Sequence, residues 1–161
     1  MKKLNSLIIA VFTGLTTFGQ IPFNYDVNIV SKTVPSFPGV HSYAHGQANG
    51  KWVIIGGRRD GLHARQPFNA FPEASNNTDI FVIDPVTDQL WTASLNGLPT
   101  SIKEQLQTTN MNFHQEGDTL YLLGGYGYNA TAVDHITFPN LTSVVVSDLI
   151  DAVVQGTSID A

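Results

Sequence analysis

Three arginines cluster in one segment that carries no obvious secondary-structure pattern. Arg58, Arg59 and Arg65 are all the arginines of the 161-residue chain, and they lie in a loop over residues 58 to 77. A planar guanidinium suits carboxylates, phosphates and hydroxyl-rich ligands. Loops of this length in compact domains are usually functional or mobile. The segment is therefore a candidate site for an anionic or carbohydrate ligand.

Four further residues would extend such a site. Asp60 and His63 lie in the same loop, and Tyr126 and Tyr128 follow a double glycine later in the chain. Aromatic rings beside arginines can stack on a sugar ring. The alternative is structural: the first two arginines pair with Asp60 or a neighbouring acid, and one of the two tyrosines is a buried packing residue.

The histidines do not form a recognisable metal motif. They are His41, His45, His63, His114 and His135. Alternation along a strand places the first two on one side, but no carboxylate stands at a matching spacing. The residue spacing supports neither a pair of catalytic carboxylates nor a Ser/His/Asp arrangement. The segment GGYGYNA lacks the Lys-Ser/Thr of a phosphate-binding loop. We predict neither a metal nor another cofactor.

The N-terminus has the pattern of an export signal. Lys2 and Lys3 precede an apolar stretch over residues 7 to 18, which is too short to span a membrane. Small residues lead up to Gly19, after which we expect cleavage. Residues 1–19 are then a signal peptide, and the product is periplasmic, surface-bound or secreted. The alternative is a buried N-terminal strand.

The exported part of the chain is acidic and free of cysteine. The sequence has 8 Lys and Arg against 13 Asp and Glu, and loss of Lys2 and Lys3 leaves six basic residues. Nucleic acid is therefore not an expected partner, because phosphate binding needs clustered positive charge. The lack of cysteine excludes disulfides within the chain, and export without disulfides favours a bacterial envelope.

An internal repeat organises the rest of the chain. Residues 49–57 (NGKWVIIGG) and 116–125 (EGDTLYLLGG) each contain a glycine turn, a short apolar run and a double glycine. The glycine pairs are 68 residues apart. The runs are short and rich in β-branched or aromatic residues, which predicts strands. Extended segments over 41–48 and 108–115 lead into the same turns, so each repeat begins with a hairpin.

Two more strands follow each double glycine. In the first repeat they are residues 79–84 and 89–94, and in the second they are residues 133–138 and 141–147. Each repeat is thus predicted to be a four-stranded antiparallel meander. The turns within the two hairpins of a meander lie at one end, and the long connections, including the arginine loop, lie at the other.

Two short helices are predicted between and after the meanders. Ser101 and Glu104 have the spacing of a capping box, which predicts a helix from residue 102 to about 107. A second helix is predicted over residues 147–155, with Ser147 as its N-cap and Gly156 as its end.

The repeat resembles the kelch repeat, in which an apolar strand ends in Gly-Gly and a later strand runs into an acid-Pro-x-Thr turn followed by tryptophan. The first unit matches through Gly56, Gly57, Asp84, Pro85, Thr87 and Trp91. The second matches through Gly124 and Gly125, but has Phe138 in place of the acid. Together with the signal, the first unit has a general likeness to kelch proteins exported by Bacteroidetes.

The resemblance implies an all-β fold, a fragment of a kelch-type β-propeller. After an extended segment over 20–40, blade 1 covers 41–98, and 99–161 contains the inter-blade helix, blade 2 and the start of a crossing to a third blade. Propellers have about four to eight blades, so further blades of the same parent chain are expected. The double glycines and Trp91 are predicted to be structural.

Two kinds of function fit this resemblance. The first is a secreted binding or scaffold protein that holds a glycan or a protein on the long-loop face. The second is an enzyme on the same fold, similar to sialic acid mutarotases or galactose oxidases. The oxidase family uses a cysteine-linked tyrosine, and this chain has no cysteine. Fold likeness alone does not decide between these functions.

Overall fold

A computed structural model of the chain describes residues 25–61 and 71–159. The chain divides into two units, residues 1–32 and 33–161. In the first unit, residues 25–32 form neither helix nor strand, and every one of them is exposed. The predicted signal peptide lies outside the described residues, as do His63 and Arg65. No helix among the described residues has the length and apolar character that a membrane span requires.

The first repeat folds as predicted into a four-stranded antiparallel sheet. Its strands are β1 (Ala44–Ala48), β2 (Lys51–Ile55), β3 (Asp79–Asp84) and β4 (Gln89–Ser94), and they lie in that order across the sheet. Both hairpin turns follow from local chemistry. Asn49 and Gly50 have positive φ, as a two-residue β-hairpin turn requires. In the other turn, Asp84 Oδ1 accepts hydrogen bonds from the backbone N–H groups of Val86 and Thr87.

The second repeat does not form a four-stranded meander, so that prediction was wrong. Strands β5 (Asn112–Glu116), β6 (Thr119–Leu123) and β9 (Leu141–Val145) form a three-stranded antiparallel sheet in the order β5-β6-β9. Strands β7 (Tyr126–Asn129) and β8 (Asp134–Thr137) form a separate hairpin. The predicted strand over 133–138 exists as β8, but it pairs with the residues that follow the double glycine. The meander prediction leaves residues 126–132 as the connection between two strands.

The two double glycines have similar backbone geometry: Gly56 and Gly57 also take positive φ, and Arg58 exchanges two backbone hydrogen bonds with His41. The repeats differ in the residues that follow, where β7 pairs with β8. Gly124 and Gly125 have φ of 73° and 96°, and they turn the chain out of the plane of β6. The next residue, Tyr126, exchanges two backbone hydrogen bonds with Thr109. A Cβ added to Gly125 would lie 1.9 Å from Thr108 Oγ1, so the close approach of these two segments requires glycine.

The main core lies between the two sheets, where their opposite faces meet. Val53 and Ile55 of β2 share a buried cluster with Leu120 and Leu122 of β6. The 68-residue repeat aligns Leu120 and Leu122 with Trp52 and Ile54, and those two side chains lie on the other face of β2. Equivalent faces of the two sheets therefore point in the same direction, as in stacked repeats.

The other face of the first sheet is covered by the segment that precedes β1. Ile54, Phe81 and Ile83 form a second buried cluster there, packed against Val34, Phe37, Val40 and Tyr43. The rings of Phe37 and Phe81 meet edge to face at 5.3 Å. Residues 33–40, predicted to be extended, form no strand but complete this layer.

Helix α1 (Thr100–Leu106) connects the repeats, close to the predicted range. The predicted capping box was wrong. Pro99 occupies the N-cap position, so Ser101 lies within the first turn. Glu104 instead accepts hydrogen bonds from Asn129 Nδ2 at 3.0 Å and from the backbone N–H of Ala130 at 3.1 Å.

Helix α2 (Val146–Gln155) packs on the first sheet through Val146, Leu149, Ile150 and Val153. Its C-terminus matches the prediction, because Gly156 takes the left-handed conformation with φ of 67°. The predicted N-cap was wrong. Asp118, in the turn between β5 and β6, accepts the backbone N–H of Ser147 through Oδ1 and the Ser147 hydroxyl through Oδ2.

Candidate functional site

Three segments of the chain converge near one cleft. They are the loop from β2 to β3, helix α1, and the β7–β8 hairpin. This cleft has a volume of about 240 Å³, and its walls include Glu73 from the loop, Lys103 and Glu104 from α1, and Tyr128 from β7. We call this region the long-loop face.

Arg58, the first arginine of the candidate site, is buried and internally paired. Its side chain is only 2% exposed. Nη2 donates to Asp60 Oδ2 at 2.6 Å and to the carbonyl of Pro72 at 3.1 Å, and Nη1 donates to Asn76 Oδ1 at 2.8 Å. These bonds join the two ends of the loop. Arg58 therefore positions the loop, and its guanidinium is not presented to solvent.

Asp60 completes this pairing. Hydrogen bonds from the Arg58 guanidinium lower the pKa of its carboxyl from 3.8 to about 2, against the opposing effect of burial. The ring of His41, whose Nε2 lies 3.3 Å from Asp60 Oδ1, acts in the same direction. Backbone bonds between His41 and Arg58 connect this group to the segment before β1.

Arg59 is also paired, but it remains one-third exposed. Its Nη2 donates to Asp79 Oδ2 at 2.6 Å and to Asn77 Oδ1 at 2.8 Å. The guanidinium carbon lies 5.4 Å from the ring centroid of Phe81. Arg58 and Arg59 each pair with an aspartate, which is the structural alternative that the sequence offered.

An aromatic series connects the loop to the β7–β8 hairpin. The guanidinium carbon of Arg58 lies 5.3 Å from the ring centroid of Phe71, whose ring meets that of Tyr126 at 5.1 Å. The His135 ring lies 5.8 Å from Tyr126 and 5.7 Å from Tyr128. Both tyrosines are partly exposed. Arg58 is thus connected to the two tyrosines through the rings of Phe71 and His135. Neither ring is among the residues that the sequence predicted for the site.

Sequence reasoning missed Phe71 and His135 for different reasons. Phe71 lies in a loop without periodicity, so nothing local marks its position. His135 could have been found from a β-hairpin pattern, because it stands opposite Tyr128 across the β7–β8 pair. The alternation Tyr-Gly-Tyr over 126–128 was the available signal for that strand.

A second aromatic groove lies along the junction of β1, β2 and β5. It has a volume of about 430 Å³ and is lined in part by His45, Trp52 and Phe113. The ring of His45 is stacked with Trp52 at 6.3 Å and meets the edge of Phe113 at 4.8 Å. Trp52 is about half exposed. Alternation along β1 and β2 places the His45 and Trp52 rings on one face of the first sheet.

Among residues 25–61 and 71–159, no group of three or more histidines and acids is arranged to hold a metal ion. The described residues of the cleft on the long-loop face include an aromatic ring, two carboxylates and a lysine. The sequence matches no protein-family model and no curated protein.

Proposed function

We propose that this protein is an exported binding or scaffold protein of the kelch-propeller type, and that it recognises a carbohydrate on the long-loop face. The observation that carries the proposal is the cleft between α1, the β7–β8 hairpin and the loop, with Tyr128 in its wall. Binding sites for small ligands are concave, with aromatic surface and a few convergent polar groups.

The chemistry of the cleft suits a hydroxyl-rich ligand. Glu73 offers carboxylate acceptors and Lys103 offers ammonium donors within the same cleft. The Tyr128 ring supplies an apolar face against which the C–H surface of a sugar can pack. Arg58 supports the site indirectly, since its bonds to Asp60 and Asn76 hold both ends of the loop.

The stacking of the two repeats supports the propeller part of the proposal. The second sheet covers the face of the first sheet that carries Val53 and Ile55. The equivalent face of the second sheet points away from the first. It carries Tyr121, Leu123, Leu141 and Val145, which are between 39% and 66% exposed. A contiguous apolar face of this kind is typical of an interaction surface. A third blade from the same parent chain would cover it.

A glycan array tests the ligand. The purified chain should capture a defined subset of glycans, and Tyr128→Ala should reduce capture at least tenfold while its thermal unfolding midpoint stays close to that of the parent. Tyr121→Ala is the matched control, because Tyr121 is an exposed tyrosine on the second sheet, outside the cleft. It should retain capture.

Three outcomes would contradict the carbohydrate proposal. Equal loss of capture in both variants, with unchanged unfolding midpoints, would show that capture does not depend specifically on the cleft. Undiminished capture by Tyr128→Ala would remove the cleft from the site. Capture only on a protein array would replace the carbohydrate with a protein ligand. An anomerisation assay on sialic acids separates binding from catalysis, since turnover that is lost in Tyr128→Ala would indicate an enzyme.

A further inference from the structure

The two sheets differ by one strand. The first has β1-β2-β3-β4, and the second ends at β9 after β5-β6. Strand β9 stands third in its sheet, in the position that β3 occupies in the first. The chain leaves β9 directly into helix α2, so the position equivalent to β4 holds no strand of the described residues.

The outer edge of β9, which no strand of the described residues covers, presents a regular row of backbone groups. Two bonds establish the alternation: Gly124 donates to the carbonyl of Asn140, and Val146 donates to the carbonyl of Asp118. In an antiparallel pair, every second residue directs its N–H and C=O toward the partner strand. Even-numbered residues of β9 therefore face β6, whereas Leu141, Ser143 and Val145 direct their N–H groups outward.

A groove runs along this edge. It has a volume of about 390 Å³ and lies between Ser143 and Val145 of β9 on one side and Asp148 and Ala152 of α2 on the other. Ser158 and Ile159, which follow α2, also line it. An apolar pocket of about 250 Å³ adjoins it, sharing Val144 and Leu149 and reaching Ile55 of the first sheet. An added strand would gain backbone hydrogen bonds at the edge and a pocket for every second side chain, which is how strand addition achieves affinity and specificity.

The first unit of the chain supplies a segment of matching pattern. Residues 25–30 read Tyr-Asp-Val-Asn-Ile-Val, which alternates apolar and polar positions from Tyr25 to Ile29. The segment forms no strand, and Val27, Ile29 and Val30 are between 73% and 90% exposed. Six extended residues span about 20 Å and the five of β9 about 17 Å, so the lengths match. Alternating β-branched residues at this exposure are a typical strand-pairing hazard.

We infer that residues 25–30 of one copy of this chain add to the edge of β9 in a second copy as a fourth strand. Val27 and Ile29 enter the apolar pocket between the two sheets, and Asn28 points to the opposite face. The outward N–H and C=O of Ser143 pair with the backbone of the incoming segment. This association is independent of the ligand proposed for the long-loop face.

Disulfide trapping tests the pairing directly, because the chain has no cysteine of its own. A tagged copy with Ser143→Cys is mixed under mild oxidation with an untagged copy that carries cysteine at position 27, 28 or 29. At least one mixture should yield a linked heterodimer in several-fold excess over the control. The control is Val86→Cys, an 83% exposed position in the turn between β3 and β4. Equal linking to the control, or none in all three mixtures, would overturn the inference.

A single chain that carries cysteines at both 29 and 143 identifies the occupant. A linked dimer supports a second copy, whereas a linked monomer at micromolar concentration means that the chain fills its own groove, and this contradicts the inference.

Light scattering on the full chain gives an independent readout. Ser143→Pro removes one outward N–H without breaking a bond to β6, and proline is tolerated on edge strands for that reason. This variant should be monomeric at concentrations where the parent associates, with an unchanged circular dichroism spectrum. If that variant fails to fold, the double variant Val27→Asp, Ile29→Asp tests association instead, since both residues lie outside the two sheets. It should be monomeric where the parent associates. Undiminished association of that variant would overturn the inference.

Discussion

The Gln115 side chain bonds to the backbone of Gln47 through both ends of its amide. Oε1 accepts from the Gln47 N–H at 2.8 Å, and Nε2 donates to the Gln47 carbonyl at 2.8 Å. The two residues are 68 positions apart, which is also the spacing of the double glycines. Equivalent residues of the two repeats are thus bonded to each other. The amide replaces a strand at the edge of β1 and sets the position of the second sheet against the first.

Gln115→Glu should destabilise the protein by about 1–3 kcal/mol, because a carboxylate cannot donate to the Gln47 carbonyl and leaves it facing a negative charge. Urea unfolding followed by circular dichroism measures the change. Gln89→Glu is the matched control, since Gln89 is exposed on β4, and it should change stability by less than about 0.5 kcal/mol. Similar effects at the two positions would contradict a role for the amide bridge.

Gly125→Ala should be strongly destabilising, by more than about 2 kcal/mol, because it combines a clash with positive φ. The added Cβ would meet Thr108 Oγ1 at 1.9 Å, and φ is +96°. Gly117→Ala isolates the backbone cost: its φ is +57°, and nothing lies within 4 Å of the added Cβ. That variant should lose about 1 kcal/mol. Thermal unfolding of both variants measures the difference, and equal midpoints would show that the clash relaxes freely.

Asp60 should make stability depend on pH in the acidic range. Its carboxyl has a pKa of about 2 in the folded protein against 3.8 for the unperturbed group. A lowered folded-state pKa means that the unfolded chain binds the proton more readily, so the contribution of Asp60 is complete above about pH 5 and is lost as pH falls through 4 toward 2. Asp60→Asn should therefore be less stable than the parent at neutral pH, and the difference should shrink toward pH 2. A difference that stays constant with pH would contradict this pairing.

Glu104 should control the motion of the β7–β8 hairpin. It accepts two hydrogen bonds from the hairpin turn, and Glu104→Ala removes both. We expect amide exchange over residues 126–137 to accelerate several-fold, which corresponds to a loss of about 1 kcal/mol of local stability. Exchange in β2 and β3 should be unchanged. Glu116→Ala, at an exposed position at the end of β5, is the control, and hairpin exchange as fast in that variant would exclude a specific role for Glu104.

Local pattern was sufficient to predict most elements of the first repeat. Short β-branched runs gave β2 and β3, and Asp84 bonds to backbone groups only two and three residues ahead of it. Gly156 ends α2 because left-handed geometry is a local property of glycine. Each of these features depends on residues within a few positions, so the sequence alone specifies them.

Tertiary structure decided which strands pair and which polar groups are available. Strand β9 lies beside β6, and β7 pairs with β8, although the bonded pair Tyr126–Thr109 matches Arg58–His41 of the first repeat. Asp118 and Glu104 bond to residues 29 and 25 positions away. Arg58 is buried because Asn76, 18 residues later, completes its hydrogen bonds, and a buried guanidinium is stable only with its donors satisfied. Such partners meet only when the chain folds, and so the sequence determined the repeat while packing determined what the long-loop face presents.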